Sequence, residues 1–209
     1  MAGFVALTDI FVQIVQAGVE DPRAVQQAYD RWVRDLAPGA DGWLASTAGI
    51  SDDGQFISVM RFASPFAARL NSQRPEQEAW WRDLQQHLSD TRVIDCVAVA
   101  TFGDDRPDAS GFVQIFQGRT TGLRDAMERV AETAQHHMYE HDLDVVGGLI
   151  ADHGDNGFTE VVYYPPGGAA SGRDPDQIRD QGLTLVDELS GPISDLRTYE
   201  LREPWHHRS

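Results

Sequence analysis

The stretch Phe11-Val12-Gln13-Ile14-Val15-Gln16 returns later in the chain as Phe112-Val113-Gln114-Ile115-Phe116-Gln117. Both versions are rich in β-branched and aromatic side chains, the types that suit a pleated strand. The elements that follow each version also recur in the same order, so the chain reads as one unit written twice. Each unit has the order β-α-β-β-α-β, which makes the expected fold class α+β with two tandem ferredoxin-like repeats.

In the first copy the opening strand gives way to Asp21-Pro22, an N-cap followed by proline at the first helical position. Val25, Tyr29, Trp32, Val33 and Leu36 then fall three and four apart, so one apolar stripe faces a sheet. Pro38-Gly39 ends that helix. Trp43 to Ile50 and Phe56 to Phe62 read as strands joined by Ser51-Asp52-Asp53-Gly54, a hairpin turn with the Asp-Gly signal. A short helix is expected over Pro65 to Asn71, a longer one over Pro75 to Leu88, and a closing strand over Arg92 to Phe102.

The second copy predicts a helix from Leu123 to Tyr139, strands over Val145 to Ala151 and Phe158 to Tyr164, a helix near Asp176 to Leu189, and a last strand from Ile193 to Leu201. Gly147 and Gly148 inside one of these strands read as points of close packing. The polar run Gly103 to Asp108 puts the repeats at residues 1–103 and 110–205, with 104–109 as linker. Trp205-His206-His207 reads as a terminal tail expected to be disordered. One segment is not repeated: Pro65 to Asn71 is matched by the Gly- and Pro-rich run Pro165 to Gly172, a loop in place of a helix. A rigid wall holds polar groups better than such a loop, so the pocket that matters is expected in the first copy.

Composition narrows the function classes. The chain has 209 residues, 41% of them apolar, enough to cover a sizeable core. It carries 17 basic and 33 acidic residues, a formal net charge of -16 that repels phosphate backbones and anionic lipid, so neither nucleic acid nor membrane is an expected partner. Every basic residue is arginine, which excludes Schiff-base chemistry on a lysine. Cys96 is the single cysteine, so no internal disulfide forms, and a cytoplasmic location is the expectation. Met1 to Asp9 lacks the basic residues of a secretory leader.

Tandem units that open with Phe-Val-Gln-Ile, a hairpin that ends in Arg61-Phe62-Ala63-Ser64-Pro65, and Asn71-Ser72-Gln73-Arg74-Pro75-Glu76-Gln77 ahead of Trp80-Trp81 together resemble the dimeric α+β barrel superfamily. The nearest branch is the antibiotic-biosynthesis-monooxygenase-like proteins. The resemblance implies two sheets that face each other as an intrachain dimeric α+β barrel, in a monomer with an internal pseudo-dimer or in a homodimer. It also implies pockets between sheet and helices, and cofactor-free oxygenation among several activities of that family. The histidine that many oxygenating members carry after the hairpin is matched here by Asn71 at best.

The binding candidates are Gln13, Arg61, Asn71, Trp80, His87 and Gln114. Gln13 and Gln114 hold the same place in apolar strands; the simpler reading is a buried amide satisfied by its neighbours. On the second helix Trp81, Leu84 and Leu88 form the apolar stripe, while Trp80 and His87 lie together on its border, placed to stack on and hydrogen-bond an aromatic ligand. The plainer alternative makes the tryptophans anchors of the helix. Arg61, Asn71 and Arg74 are further donors for a phenolate or carboxylate.

His136, His137 and His141, with His153 and Asp142 or Asp152, are the one metal-like cluster, but they lack a HExxH pattern and no metal or cofactor is expected. No catalytic residue can be named. Two functions stay open: a cofactor-independent monooxygenase-like enzyme acting on a small aromatic molecule, and a non-catalytic small-molecule-binding or assembly protein. A cavity with convergent polar groups favours the first; a pocket filled by Trp80, Trp81 and Met60 favours the second.

Overall fold

The computed structural model describes residues 6–103, 107–125, 127, 129, 145–166 and 192–209. The chain divides into two compact units, Asp9–Asp95 with Glu203–Ser209, and Met1–Thr8 with Cys96–Arg202.

In the unit of Asp9–Asp95, β2 (Phe11–Val19) leads into α1 (Pro22–Arg31), then β3 (Trp43–Ile50), β4 (Gln55–Phe62), α2 (Pro65–Ser72), α3 (Pro75–Gln85) and β5 (Leu88–Asp95). The carboxylate of Asp21 accepts hydrogen bonds from the Arg23 and Ala24 amides, both at 3.1 Å, and Pro22 opens the helix as expected. Val25, Tyr29, Trp32 and Leu36 of the expected stripe are buried. The last of them sits on a wider turn, Trp32–Leu36, that continues the helix. The Ser51-Asp52-Asp53-Gly54 turn is closed by backbone bonds between Ser51 and Gln55, and Gly54 has φ +77°, which only glycine adopts freely.

The sheet of this unit is antiparallel in the order β11-β3-β4-β2-β5, where β11 is Trp205–Arg208. The four repeat strands thus stand second, third, first, fourth, the ferredoxin-like arrangement. The tail expected to be disordered is instead the edge strand of this sheet, with Trp205 opposite Ala48 and Arg208 opposite Ala45. Pairing with the unfilled edge of β3 satisfies its backbone groups.

The other unit contains β1 (Ala6–Thr8), β6 (Ala98–Gly103), β7 (Phe112–Thr120), β8 (Gly147–Asp152), β9 (Gly157–Tyr164) and β10 (Ile193–Leu201). Its antiparallel order is β1-β6-β8-β9-β7-β10, so β8-β9-β7-β10 repeats β3-β4-β2-β5. The fold is therefore α+β, built from two ferredoxin-like repeats. A Cβ on Gly148 would strike the Val161 carbonyl and the Phe102 ring, which accounts for the glycine there. Of the expected second-copy helices, a helical turn begins at Leu123; the remainder, the helix near 176–189 and the loop residues 167–172 lie outside the described residues.

The closing strand of the first copy differs from expectation. A single strand over Arg92 to Phe102 is replaced by β5, which begins at Leu88 and stops at Asp95, and β6, which pairs with β1 and β8. The break falls at Cys96-Val97, where the Val97 amide donates to the Asp152 carbonyl at 2.8 Å. The divide between the two compact units lies after Asp95. β5 and β10 also share a bulge: the register shifts at Asp90 (φ +49°) in one and at Asp195 (φ +55°) in the other. Aspartate is among the few non-glycine residues that tolerate this conformation.

Candidate functional site

Strand alternation puts Val15 of β2 and Phe56, Ser58 and Met60 of β4 on the face that α1 and α3 cover. Between this face and the helices lies a cavity of about 190 Å³. Its floor is Gln13, Val15, Phe56, Ser58, Met60 and Val93; Tyr29 and Trp32 come from the α1 side, and Gln77, Trp80, Trp81 and Leu84 from α3. Ser72, Glu78 and Val93 are exposed and mark its mouth.

The tryptophans form walls and do not fill the space. The Trp80 indole N–H donates to the Ala28 carbonyl at 2.7 Å, the Trp32 indole N–H to Gln77 Oε1 at 2.6 Å, and the two rings lie 6.2 Å apart. Trp43 packs edge-on against Trp32 at 5.2 Å. With their N–H groups bonded, the Trp32 and Trp80 rings present apolar surface to the cavity, whereas the buried Trp43 N–H has no partner.

The floor holds the opposite kind of group. The hydroxyls of Tyr29 and Ser58 line the cavity, and that of Ser46 on β3, outside the lining, lies near Tyr29; all three are buried and none is in full hydrogen-bond geometry with a partner. Burial pushes the Tyr29 phenol up to about 12, while the nearby Ser46 and Ser58 hydroxyls pull weakly the other way. Tyr29 therefore stays protonated and acts as a donor. Its ring is held by Trp205 at 5.5 Å and His207 at 5.8 Å, so β11 supports the floor. Burial holds the His207 imidazole below its ordinary pKa.

The six candidates do not assemble in one place. Gln13 lines the cavity, its amide donating to Asp95 at 2.8 Å, and Trp80 is a wall. Arg61 is buried on the alternate face of β4, away from Ser58 and Met60. Asn71 is buried but its carbonyl accepts from Arg74 at 3.0 Å, and Arg74 also donates to the Leu36 carbonyl, so both tie α2 to the end of the first helical segment.

His87 lies beyond the end of α3 at Gln85, in the turn before β5, and its carbonyl accepts from Glu20; the border shared with Trp80 does not form. Trp80, not Trp81, is the fully packed member of the pair, because its N–H reaches across to α1. Gln114 belongs to the other unit and is used up, accepting from the Tyr164 hydroxyl at 3.0 Å and donating to Glu200 at 3.4 Å. Among the described residues no cluster of three metal-ligating side chains occurs; His136, His137 and His141 lie outside them, and His153 is bonded to Thr159 at 2.9 Å.

The sequence reading missed Tyr29, Ser46, Ser58 and Glu160. In the sequence Tyr29 is one more member of an apolar stripe, and two serines inside strands carry no motif. Glu160 was the legible one: a glutamate inside Gly157–Tyr164, where every other side chain suits a buried strand, is fully buried with both carboxylate oxygens unpartnered.

No family model and no curated protein matches the sequence. Solved structures do. A candidate monooxygenase from Fusobacterium nucleatum superposes with a TM-score of 0.67 at 12% identity, over 98% of this chain and 95% of that one. This chain has their fold. A candidate monooxygenase from Lactobacillus acidophilus gives 0.63 at 14% identity over 96% and 100% of the two chains, and an anthrone oxidase-like protein gives 0.64 at 9% over 98% and 96%. The monooxygenase-like fold thus spans the whole duplicated chain, as the resemblance implied. No helix among the described residues is long and apolar enough to cross a membrane.

Proposed function

We propose that the cavity of residues 9–95 binds a small aromatic molecule through an oxygen acceptor and supports its oxygenation by O₂ without a resident cofactor. The observation that carries this reading is the pairing of the buried hydroxyls of Tyr29 and Ser58, neither in full hydrogen-bond geometry with a partner, with walls of Trp32, Trp80, Phe56 and Met60. Orphan donors in a buried site cost stability and await an acceptor. An enolate or phenolate oxygen seated there gains donors already in place, in surroundings that exclude water.

The chemistry balances with substrate and oxygen alone. A ring-activated methylene loses a proton, the resulting enolate gives electrons to O₂ and forms a carbon–oxygen bond, and the hydroperoxide loses water to leave a carbonyl. The substrate supplies all four electrons, and one oxygen atom leaves as water. Tyr29 and Ser58 hold the enolate oxygen, Gln13 orients the ring, and the proton leaves to solvent through the mouth. A cavity of about 190 Å³ is of the size that encloses a single substituted ring, since an engineered void of about 150 Å³ takes up benzene. A larger body extends through the mouth.

One feature favours binding without chemistry: the floor carries donors but no base among its described residues, because Tyr29 is held protonated. Titrating the protein with monocyclic and bicyclic phenols and enolisable ketones, while following tryptophan fluorescence and oxygen uptake, separates the two readings. Quenching with oxygen uptake supports the enzyme, and quenching without it supports the binding protein. Absence of quenching across the panel, or quenching abolished by Gln114→Ala but not by Gln13→Ala and Trp80→Ala, overturns the site itself.

A further inference from the structure

The duplication allows the cavity floor to be traced onto the second copy. Val15 lies opposite Ser58, and Phe116 lies opposite Glu160; Gln13 lies opposite Met60, and Gln114 opposite Val162. Phe56 and Phe158 correspond in the same way. Residue by residue, Gln13, Phe56 and Ser58 of the first floor stand where Gln114, Phe158 and Glu160 stand in the second, while Val15, Met60 and Val93 give way to Phe116, Val162 and Thr198; the exchange of a serine hydroxyl for a carboxyl is the one that brings in an ionisable group.

Glu160 is fully buried, and neither carboxyl oxygen has a hydrogen-bond partner. Its neighbours on the face are spoken for. The Tyr164 hydroxyl donates to Gln114, and Gln114 donates to Glu200. The rest of the face is the apolar cluster of Phe116, Phe158 and Val162, on which Leu123 and Met127 pack. A carboxyl placed among aromatic rings with no partner costs several kcal/mol in a structure that gains nothing from it. A buried polar group without a partner calls for an explanation, and a ligand that completes it is one.

We propose that this face of β7, β8 and β9 carries a second binding site, in which Glu160 receives the ammonium group of a small aromatic amine. A primary ammonium has N–H donors for both oxygens and makes charge-assisted bonds with them. The surrounding rings suit a cation and an aromatic body alike. The formal net charge of -16 concentrates cations near the protein and disfavours anionic ligands. The two copies then differ in ligand polarity, the first offering donors to an oxygen acceptor and the second an acceptor to a nitrogen donor. This inference stands whether or not the first cavity performs oxygenation.

Isothermal titration of the full chain with 2-phenylethylamine, 2-phenylethanol and phenylacetate tests it. The amine is expected to bind, and Glu160→Gln to weaken the amine about tenfold or more, the scale of one lost charge-assisted bond, while leaving any phenylacetate binding, which belongs to the first cavity, unchanged. Trp80→Ala, in the other cavity, is expected to leave amine affinity unchanged. A second readout needs no variant. Burial holds the Glu160 carboxyl above the ordinary carboxylate range, so titrations in buffers of different ionisation enthalpy are expected to show protons released as the ammonium binds. Absence of amine binding, equal affinity in Glu160→Gln, or loss in Trp80→Ala overturns the proposal.

Discussion

β4 and β9 are the same strand of the repeat, paired in the same register with the corresponding opening strand, yet one carries Ser58 and the other Glu160 at the same position of the same face. The glutamine that the copies share behaves differently as well. Gln13 faces a cavity with its amide steadied by Asp95, whereas Gln114 is closed into a network with Tyr164 and Glu200. The backbone of the unit, including the bulge at Asp90 and Asp195, was kept through duplication while the chemistry of the covered face diverged. The copies agree in their ladders and bulges, and they differ at Ser58 and Glu160, where the two proposed sites diverge.

The largest effect expected from breaking this comparison is in the first copy's wall. All tryptophans except Trp205 lie in residues 32–81, and none lies between Cys96 and Arg202. Trp32 is buried, packs on Trp43 and Trp80, and donates to Gln77. Trp32→Ala is expected to cost about 3–5 kcal/mol, the range for emptying a large aromatic site. Urea unfolding checks it; a loss under about 1 kcal/mol would show that the wall does not depend on its central ring.

The next effect falls on the second copy and depends on pH. Burial raises the Glu160 pKa well above that of a free carboxyl. Between the two values the folded protein holds a proton that the unfolded chain has released, so stability falls as pH rises through that window. Glu160→Gln removes the penalty. The variant is expected to match wild type near pH 4 and to gain about 1 kcal/mol per pH unit above it until the folded pKa is passed. Melting temperatures across pH 4–8 decide; a constant offset between the two proteins would show that Glu160 does not titrate with folding.

Much of the scaffold was legible because it rests on local chemistry. The repeated Phe-Val-Gln-Ile strand, the Asp21-Pro22 cap, the stripe of α1 and the Asp53-Gly54 turn each specify their element from neighbouring residues alone. What escaped was non-local. Nothing within Arg92 to Phe102 announces that the ladder changes sheet at Cys96-Val97, because the partner of Ala98–Gly103 is a strand fifty residues further on. The same holds for Trp205–Arg208, a tail until β3 supplies an edge. The site was the least legible part: His87 was placed on a helix that ends two residues earlier, and Arg61 faces the other way from Ser58 although it is close in sequence.

The smallest effect on stability is expected at Tyr29, and it is the one that bears most on the first site. A hydroxyl that is buried without a well-aligned partner contributes little to folding, so its removal relieves a desolvation cost as it forfeits weak contacts with Ser46 and Ser58. Tyr29→Phe is expected to change stability by less than about 0.5 kcal/mol, because the ring keeps its packing against Phe56, Trp205 and His207. Its effect on ligand binding is expected to be larger. Losing one donor to an anionic oxygen in a water-excluded site corresponds to about 1.5–3 kcal/mol, or roughly ten- to a hundredfold in affinity for a phenolate probe. A neutral, hydroxyl-free aromatic of the same size should bind both proteins alike. Equal phenolate affinity in the two proteins would remove Tyr29 from the site; equal losses for phenolate and hydrocarbon would mean that the substitution had altered the cavity's shape, leaving Ser46 and Ser58 as the donors to test.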